Sequence, residues 1–438
     1  MRRVVVTGLG VATSLGLSVE ENWESLLSGV SGIRLLDFPE AEGSAVKAAG
    51  ALRDNDWQRI RAAFPEDAAQ EGERRTLFSL WAAGAALKDA GVSCSEGGRD
   101  RYGVSFAAGL GVNCLEDIHR WKGNDGKFDI VRFGQEYRQV HPASLMRNNA
   151  SRAAALIAKR SGFQGMNCTV TTACASGTQA IGAGFRAVQR GDADLMIAGG
   201  ADSMLNPVGL IFFVLLGAAS ISADDPLTAC RPFDRKRSGL VMGEGAGFAV
   251  LEEEGHALRR GAKIYAEVSG YASSMDAYQV TAPHPRGIGA EQAMRSALKD
   301  AGMEPEDIDY INAHGTSTKL NDAGETMAIK NVFRAHADNL AISSSKSMIG
   351  HLLAASGGPE FVYTVLSVHH DAIHPTINLT HPDPKCDLDY VAGGRREKTV
   401  RAALSNSFGF GGQNASIIVK KYLLGRGTAA AERRTEEL

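Results

Sequence analysis

The sequence TVTTACASGTQAIGAGFRAVQR, residues 169–190, combines a strand signal, a cysteine and a helix signal. Its start predicts a buried strand, and residues 178–189 predict a helix from the spacing of their apolar side chains. Cys174 stands at the turn between the two. A thiol at that point faces the positive end of the helix dipole, which favours the thiolate. We expect Cys174 to be a nucleophile, with a buried structural cysteine as the alternative.

A second stretch repeats this plan. Residues 341–343 predict a strand, Gly350 and His351 follow, and residues 352–370 predict a mostly helical segment. Two reactive residue types therefore precede helices in corresponding places. Because strand and helix signals alternate and the strands are almost continuously apolar, the chain is predicted to be α/β, with helices covering the sheets.

The division between the two predicted halves is placed at a polar stretch, EEEGHALRRG. Residues 1–251 would then form the N-terminal half, which carries Cys174. Residues 252–424 would form the C-terminal half, which carries the two histidines considered below. The polar, alanine-rich residues 425–438 predict a disordered tail.

Composition excludes several classes of protein. The 438 residues include 47 basic and 50 acidic side chains, a net charge of −3, which argues against a nucleic-acid binder. Six cysteines without a C-x-x-C pair fit a reducing compartment and not a structural zinc site. The most apolar stretch, residues 208–220, is shorter than the ~20 residues that span a bilayer. We expect a cytoplasmic protein with no membrane partner.

Two histidines lie in loop-like motifs. His314 belongs to YINAHGTSTKLND, residues 310–322, where the hydroxyls of Thr316 and Thr318 could bind a polar ligand arm or form local turn bonds. His351 belongs to SSSKSMIGHLLAASGG, residues 343–358. At a helix start an imidazole is expected to be neutral, so it can donate a hydrogen bond to a developing oxyanion. The alternative for either ring is a structural hydrogen bond to the backbone.

Two further features accompany the histidines. Lys346 and Glu360 could pair and fix the ring of His351, or form a surface ion pair of little energetic value. The glycine-rich loop SNSFGFGGQN, residues 405–414, has no G-K-S/T sequence and so is not a P-loop. Phe410 is expected there as a movable plug with a free backbone N–H. A thiol and two histidines on separate loops suit acyl transfer followed by carbanion chemistry.

These four motifs, with CRPFDRKRSGLVMGEGAGFAVLEE at residues 230–253, resemble the β-ketoacyl-acyl-carrier-protein synthases of the elongating type II kind. The resemblance covers residues 3–422, nearly the whole chain. It implies a thiolase-like fold, a duplicated α-β-α-β-α arrangement of layers with a five-stranded sheet in each half. It also implies a decarboxylative Claisen condensation in fatty-acid elongation, with malonyl-acyl-carrier protein as substrate and without a metal or other cofactor.

The resemblance assigns roles residue by residue. Cys174 would carry the acyl chain, and the two histidines would hydrogen-bond the malonyl thioester oxygen. The backbone N–H groups of Cys174 and Phe410 would hold the second oxyanion. The other matches are the supporting pair Lys346 and Glu360, the pantetheine-binding Thr316 and Thr318, and the gate residues Phe410 and Phe408.

The resemblance also implies where the substrates lie. Leu110, Phe212 and Phe213 are expected in the acyl pocket. An acidic acyl-carrier protein with its phosphopantetheine arm is expected to dock on Arg74 and Arg75, with Arg235 and Lys236 as further candidates.

Some residues depart from the family pattern and leave alternatives open. Gln413 replaces a threonine, Gly217 stands where a carrier-binding arginine is expected, and Pro359 is expected to kink its helix. The chain would form a homodimer, or, as a ketosynthase subunit of a type II polyketide or polyene pathway, a heterodimer with a chain-length-factor-like subunit. A non-catalytic partner or binding subunit is the remaining alternative, against which Cys174 argues.

Overall fold

A computed structural model of the chain describes residues 1–37, 43–71, 73–92, 99–110, 119–147, 149–221 and 225–424. The predicted tail, residues 425–438, lies outside the described residues. Within the described part ten strands form one mixed sheet. They are β1 Val4–Ala12, β2 Tyr102–Ala107, β3 Asn167–Val170, β4 Leu195–Asp202, β5 Gly245–Glu253, β6 Ala266–Met275, β7 Tyr310–Asn312, β8 Ala341–Ser343, β9 Ala402–Gly409 and β10 Gln413–Lys420.

The sheet contains two copies of the same five-stranded arrangement. Its order is β8-β7-β9-β10-β6-β1-β5-β4-β2-β3. Reading outward from β1, the strands β5, β4, β2 and β3 pair as antiparallel, antiparallel, parallel and parallel. Reading outward from β6, the strands β10, β9, β7 and β8 pair in the same way. Each half therefore repeats one five-stranded topology, which confirms the duplicated α/β fold.

The two five-stranded units are hydrogen bonded to each other rather than separate. Val4, Val5 and Val6 of β1 pair with β6, and this short antiparallel ladder joins them into the ten-stranded sheet. Strand β5 continues to Glu253, past the predicted division after residue 251. The exact division between the halves stays a prediction.

Helices cover both faces of the sheet. In the described residues they are α1 Val19–Leu27, α2 Asp54–Ala63, α3 Pro65–Gln70, α4 Arg74–Asp89, α5 Ile130–Gln135, α6 Ser144–Arg147, α7 Arg152–Ser161, α8 Ser176–Arg190, α9 Pro207–Leu215, α10 Glu254–Arg259, α11 Ile288–Ala301, α12 Lys319–Phe333, α13 Lys346–Ile349 and α14 Gly357–His370. Short 3₁₀ turns occur at Arg99–Arg101, Tyr137–Gln139, Pro226–Thr228, Pro305–Asp307, Arg334–Asn339, Leu353–Ala355 and Phe410–Gly412, and two small ribbons pair Arg34–Leu35 with Ala48–Ala49 and Ala372–Ile373 with Arg396–Glu397. None of the described helices is long and apolar enough to cross a membrane.

Apolar cores lie between the layers. One core joins α4 and α7 to strands β1, β2, β4 and β5, and another joins α11 and α12 to strands β6 to β10. Between them lies a central core to which α8, α14 and strands of both halves contribute. The order is thus helices, strands, central helices, strands, helices, the predicted α-β-α-β-α layering.

The two central helices meet at their N-terminal ends through glycine. A Cβ atom on Gly177 would lie 2.8 Å from the nitrogen of Gly357, and one on Gly357 would lie 2.3 Å from the nitrogen of Thr178. Any larger side chain would separate the two backbones. Because Cys174 precedes α8 and His351 precedes α14, this close approach brings the two residues to one place.

Pro359 does not kink α14, so that expectation was wrong. It is the third residue of the helix, which begins at Gly357. The first four N–H groups of a helix have no partner within it, so proline loses no hydrogen bond there. The first turn of α14 lies directly on strand β5 because Gly247 has no side chain: a Cβ there would be 2.2 Å from the Pro359 nitrogen.

Candidate active site

Cys174 is held in a strained turn between β3 and α8. Ala173 has a left-handed backbone, with φ of 49°, which is costly for a residue with a side chain. The Ser176 hydroxyl fixes this turn by accepting from the Thr172 N–H at 2.7 Å and donating to the Ala173 carbonyl at 2.6 Å. The thiol is therefore positioned by the backbone at the foot of a helix.

The Cys174 thiol is neutral at rest, contrary to the expectation of a favoured thiolate. Burial raises its pKa to about 12, because a thiolate would lose its water. The nearby Lys346 charge and the Phe410 N–H oppose that rise without cancelling it. The charge on sulfur must therefore form during the reaction.

Two buried histidines face each other beside the thiol. Cys174, His314 and His351 each offer one sulfur or nitrogen atom, and these three atoms all lie within 4.8 Å of one another. The two imidazole centroids are 5.3 Å apart, with the rings at 86°. Burial and the Lys346 charge hold the pKa of both rings well below the usual value, so both are neutral.

Backbone contacts decide which nitrogen of His351 carries the proton. The Leu353 N–H donates to Nδ1 at 3.0 Å, and the Ser356 hydroxyl lies 2.8 Å from the same atom. Nδ1 is thus an acceptor, and the neutral ring holds its proton on Nε2. That Nε2 atom is buried and has no partner among the described residues. It is available as a donor to a bound ligand.

The ion pair of Lys346 and Glu360 is internal, which excludes the alternative of a surface pair. Their side chains are each 1% exposed, and Lys346 Nζ contacts the Glu360 carboxylate. Burial raises the pKa of Glu360 to about 7, although the Lys346 charge acts in the opposite direction. A buried pair of this kind is costly to break, because one partner would remain as an isolated charge.

Sequence reasoning missed Glu325. This residue of α12 accepts the N–H groups of His314 at 2.9 Å and Gly315 at 2.8 Å, and it also accepts from the Asn406 amide at 3.2 Å. It therefore fixes the backbone that carries His314. An acidic residue on the buried face of the helix that Thr318 caps was the available signal.

Asp202 was missed as well. This buried residue ends β4, and its Oδ2 accepts the Ala354 N–H at 3.1 Å. The bond anchors the turn after His351, in which Leu353 has a left-handed φ of 52°. Burial raises the pKa of Asp202 to about 6, against the lowering effect of the Arg75 charge. No local sequence pattern identifies Asp202, because its hydrogen-bond partner Ala354 is 152 residues away in the sequence.

The glycine-rich loop closes over Cys174. A Cβ on Gly409 would lie 3.0 Å from the Cys174 nitrogen, so the loop touches the nucleophile backbone. The Phe408 ring is 5.8 Å from the His314 ring, and the Phe410 ring is 6.4 Å from the Phe213 ring. Gly411 and Gly412 have left-handed φ values of 80° and 77°, which a side chain would disfavour.

One cavity of about 500 Å³ joins most of the predicted residues. Its lining includes Cys174, His314, His351, Phe408, Phe410, Thr316 and Thr318, together with Gly217, Lys319, Val280 and Leu216. The hydroxyl oxygens of Thr316 and Thr318 are 2.8 Å apart at its wall. The thiol, both imidazoles and two hydroxyls thus face a single ligand space.

Three predicted pocket residues lie outside that lining. Leu110 is 64% exposed and Phe212 is 45% exposed in the single chain. Phe213 is not part of the lining, although its ring contacts that of the lining residue Phe410. Their assignment to an acyl pocket stays a prediction.

The docking prediction is wrong for Arg75 and unsupported for Arg74. Arg75 is 3% exposed, pairs with Glu73 at 2.6 Å and donates to the Gly109 carbonyl at 3.0 Å. Arg74 pairs with the buried Glu244 at 2.9 Å. Both guanidinium groups therefore serve internal contacts, whereas Arg235, Lys236 and the cavity residue Lys319 are exposed.

Comparison with known proteins agrees with this geometry. The family described as Beta-ketoacyl synthase, N-terminal domain, matches residues 1–257, and its C-terminal domain matches residues 265–380. The chain is 44% identical to the 3-oxoacyl-[acyl-carrier-protein] synthase 2 of Synechocystis sp., over 96% of this chain and 98% of that protein.

Solved structures give the same result. A type II polyketide ketosynthase in complex with its acyl-carrier protein, AntDE:AntF, aligns with a TM-score of 0.86 at 34% identity, over 96% of this chain and 100% of that one. The ishigamide ketosynthase/chain length factor aligns with a TM-score of 0.84 at 35% identity, over 96% and 100% of the two chains. This chain belongs to the β-ketoacyl synthase family.

Proposed function

We propose that the protein is an acyltransferase that condenses an acyl group on Cys174 with malonyl-acyl-carrier protein, releasing carbon dioxide and 3-oxoacyl-acyl-carrier protein in fatty-acid elongation. The observation that carries the proposal is the buried cluster of one thiol and two neutral imidazoles around a single cavity. The name of the Synechocystis relative supports the same reaction.

The first step loads the enzyme. Cys174 Sγ attacks the carbonyl carbon of an acyl-carrier thioester, a carbon–sulfur bond forms, and the carrier leaves with its thiol after the Cys174 proton is transferred. Lys346 and the Phe410 N–H favour negative charge on sulfur as the proton departs. The backbone N–H groups of Cys174 and Phe410 donate hydrogen bonds to the carbonyl oxygen as it gains negative charge. One such donor stabilises the transition state by ~2.7–4 kcal/mol.

The second step makes the carbon–carbon bond. Malonyl-carrier protein loses carbon dioxide, and the electron pair of the broken bond becomes an enolate whose oxygen is hydrogen-bonded by His314 and His351. The enolate carbon attacks the acyl carbonyl, and the bond to Cys174 breaks. A proton from solvent restores the thiol. Neutral imidazoles suit this role, because an N–H group that donates a hydrogen bond without giving up its proton need not be reprotonated in each turnover.

The remaining residues position these groups. Burial and the charge of Lys346, which pairs with Glu360, keep both histidines neutral, and the Thr316 and Thr318 hydroxyls hold the amide groups of the pantetheine arm. Phe410, with Phe408 beside it, gates access to Cys174. The N-terminal half, residues 1–251, supplies the nucleophile, and the C-terminal half, residues 252–424, supplies the histidines.

The partner is an acyl-carrier protein, and we place its docking surface at Lys319, Arg235 and Lys236. Lys319 lines the cavity, and Arg237 joins the two segments by donating to the Thr318 carbonyl at 3.0 Å. Exposed cations at a cavity mouth steer an acidic partner and its phosphodiester toward it. The reaction takes place in the cytoplasm, as the sparse cysteines suggest.

A second candidate pathway is a type II polyketide or polyene synthase. Ile211, Phe212 and Leu215 on the apolar face of α9 are exposed in the single chain, and this face fits either a second copy of the chain or a chain-length-factor-like partner. What favours this pathway is the likeness to the two solved structures named above, a type II polyketide ketosynthase with its acyl-carrier protein and the ishigamide ketosynthase/chain length factor.

The test combines the purified chain, acyl-carrier thioesters of C4 to C16 and radiolabelled malonyl-carrier protein. Formation of 3-oxoacyl-carrier protein with equal release of carbon dioxide is the expected result. A Cys174→Ala variant is the matched control and should form no product. Transfer of an acyl group without carbon dioxide release in wild type would contradict the proposal.

A further inference from the structure

Arg237 is a buried cation beside the cavity, next to the lining residue Ser238. Its side chain is 2% exposed, although the two residues before it in the chain, Arg235 and Lys236, are exposed. A guanidinium group carries five N–H donors in a rigid, planar fork. Burial of such a charge is costly unless hydrogen bonds and opposite charges compensate for it. The contacts of Arg237 therefore indicate which part of the fold it stabilises.

Two nitrogens of Arg237 bind the segment that carries the threonine hydroxyls. Nε donates to the Thr318 carbonyl at 3.0 Å, and Nη2 donates to the Lys319 carbonyl at 3.1 Å. Nη1 donates to the Asp234 carbonyl at 2.9 Å, within the turn that contains Arg237 itself. One rigid group thus fixes two adjacent carbonyls at the start of α12 against residues 234–237.

Two carboxylates balance the buried charge. Nη1 of Arg237 donates to Asp383 at 2.6 Å, and Nε lies 3.6 Å from the fully buried Asp322. Burial raises the pKa of Asp322, and the Arg237 charge acts in the opposite direction. A lysine at position 237 would keep this charge balance, but it would lack the fork that reaches both carbonyls.

The segment that Arg237 holds has a strained backbone. Ser317, between the two threonines, has a left-handed φ of 67°. Its hydroxyl accepts the backbone N–H of Arg231 at 3.0 Å, and its carbonyl accepts the N–H of Gly239 at 3.2 Å. Strained conformations of this kind persist only where the surroundings fix them. Residues 231–239 therefore hold the turn at residues 316–319 in place.

We propose that Arg237 is a positioning residue for the pantetheine arm, which acts by fixing the backbone that directs the Thr316 and Thr318 hydroxyls into the cavity. The two hydroxyl oxygens are 2.8 Å apart at the cavity wall. Groups that are already held in the bound geometry cost less to order when the ligand binds. The inference rests on the proposed function, because that function supplies the arm as the ligand.

The effect of Arg237 should be confined to binding of the arm. Arg237 is not part of the cavity lining, whereas Cys174 and both histidines are. A change that displaces the threonine hydroxyls should therefore weaken substrates that have the amide groups of the arm. It should leave the attack of the thiol on a thioester without those groups unchanged.

The test compares two acyl thioesters on wild-type protein and on Arg237→Lys. Hexanoyl-pantetheine has both amide groups of the arm, and the hexanoyl thioester of ethanethiol has none. Acylation of Cys174 is followed by mass spectrometry over a range of substrate concentrations. In Arg237→Lys, KM for the pantetheine thioester should rise roughly 3- to 10-fold, the effect of weakening one or two neutral hydrogen bonds. The maximal loading rate and loading from the ethyl thioester should stay unchanged.

Arg231→Lys is the matched control. Arg231 lies in the same segment, and its side chain donates to the carbonyl and the hydroxyl of Thr228, each at 2.9 Å. The backbone N–H that it donates to Ser317 is kept in this variant. Arg231→Lys should load both thioesters as wild type does. Melting temperatures and the fraction of Cys174 that is acylated at saturation correct each rate for the amount of folded protein.

A second background tests whether Arg237 acts through the hydroxyls. Thr316→Val with Thr318→Val removes both hydroxyls and nearly preserves the shape of the side chains. Adding Arg237→Lys to this pair should not raise KM for the pantetheine thioester further, because no hydroxyl is left to position. If Arg237→Lys does not fold, Asp383→Asn removes one charge partner instead and should raise the same KM to a smaller extent. An unchanged KM in that variant would count against the proposal.

Three results would overturn the role of Arg237. They are an unchanged KM for the pantetheine thioester, an equal loss with both thioesters, and a full effect of Arg237→Lys in the absence of the two hydroxyls. Failure of the proposed function has a different outcome. If wild type loads acyl groups but forms no 3-oxoacyl product, condensation fails, and the loading data still decide the role of Arg237. If wild type loads no acyl group at all, both proposals fail.

Discussion

The backbone N–H of Leu353 donates to Nδ1 of His351 at 3.0 Å, from a residue whose own φ of 52° is left-handed. A strained backbone therefore chooses the tautomer of a buried imidazole. The proton is left on Nε2, where it can be donated to an oxyanion. Strained backbone conformations are concentrated at functional sites, and here the strained turn fixes the orientation of a hydrogen-bond donor.

Replacing His351 by alanine should separate the two half-reactions. Malonyl decarboxylation should fall by roughly 10²–10³, the effect of removing one oxyanion donor. Acylation of Cys174 should continue, because the groups that favour its thiolate are Lys346 and the Phe410 N–H. Carbon dioxide release and acyl loading are measured on the same preparation. Equal loss of both rates would contradict the assignment.

Asp202 should act as a positioning residue through Ala354. Asp202→Ala removes the acceptor of the Ala354 N–H and frees the turn that holds His351, so kcat for decarboxylation should fall roughly 10- to 100-fold. Asp202→Asn keeps a carbonyl oxygen and should recover most of that loss. KM for malonyl-carrier protein and the loading rate should stay unchanged. If the loading rate falls as much as the decarboxylation rate and the melting temperature also falls, Asp202 has a structural role alone.

Substitutions of Cys174 should divide condensation from decarboxylation. Cys174→Ala should abolish condensation, because no acyl-enzyme can form. Cys174→Gln should retain malonyl decarboxylation, since its amide resembles the acylated thiol beside both histidines. Product formation and carbon dioxide release are followed together. Condensation by either variant would exclude Cys174 as the acyl carrier.

Charge reversal should distinguish the exposed cations from the internal one. Lys319→Glu should raise KM for carrier-bound substrates several-fold at low salt and leave small acyl thioesters unaffected. Arg75→Glu should instead lower the melting temperature, because it breaks the pair with Glu73 and buries a carboxylate. Equal loss with carrier-bound and small substrates in Lys319→Glu would exclude docking there.

His374 should make the fold sensitive to acid. Its ring is fully buried between the side chains of Tyr310, Tyr363 and Ser343, and burial lowers its pKa to about 4 from the usual 6.5. The unfolded chain binds the proton more tightly, so stability is present above pH 6.5 and is lost as the pH falls toward 4. The loss is about 3 kcal/mol.

Urea unfolding from pH 7 to pH 4 measures this effect against His374→Gln. The variant lacks the titrating ring, so its stability should fall by less than that of wild type over this range. Carboxylates contribute equally to both proteins and cancel in the difference. Parallel pH curves for the two proteins would refute the contribution of His374.

The local sequence was sufficient for the parts of the site that depend on a few consecutive residues. The strand before Cys174 and the helix after it are present where the patterns placed them. Of the predicted loop, residues 405–414, only Phe410–Gly412 is a turn, because residues 405–409 end β9 and residues 413–414 begin β10. Apolar periodicity and glycine conformation act within one element, so they can be read without the rest of the chain.

The packing of segments that are distant in the chain determines which groups surround the site and how they ionise. Arg75 is buried because of the residues that pack around it, and these are not evident from its local sequence. Glu325 and Asp202 accept hydrogen bonds from the backbone N–H groups of His314 and Ala354, and no sequence spacing rule predicts these pairs. The high pKa of Cys174 follows from burial, which outweighs the helix dipole on which the sequence argument relied. Motifs therefore identify the reactive atoms, whereas desolvation and hydrogen bonding set their protonation, because both depend on residues distant in the chain.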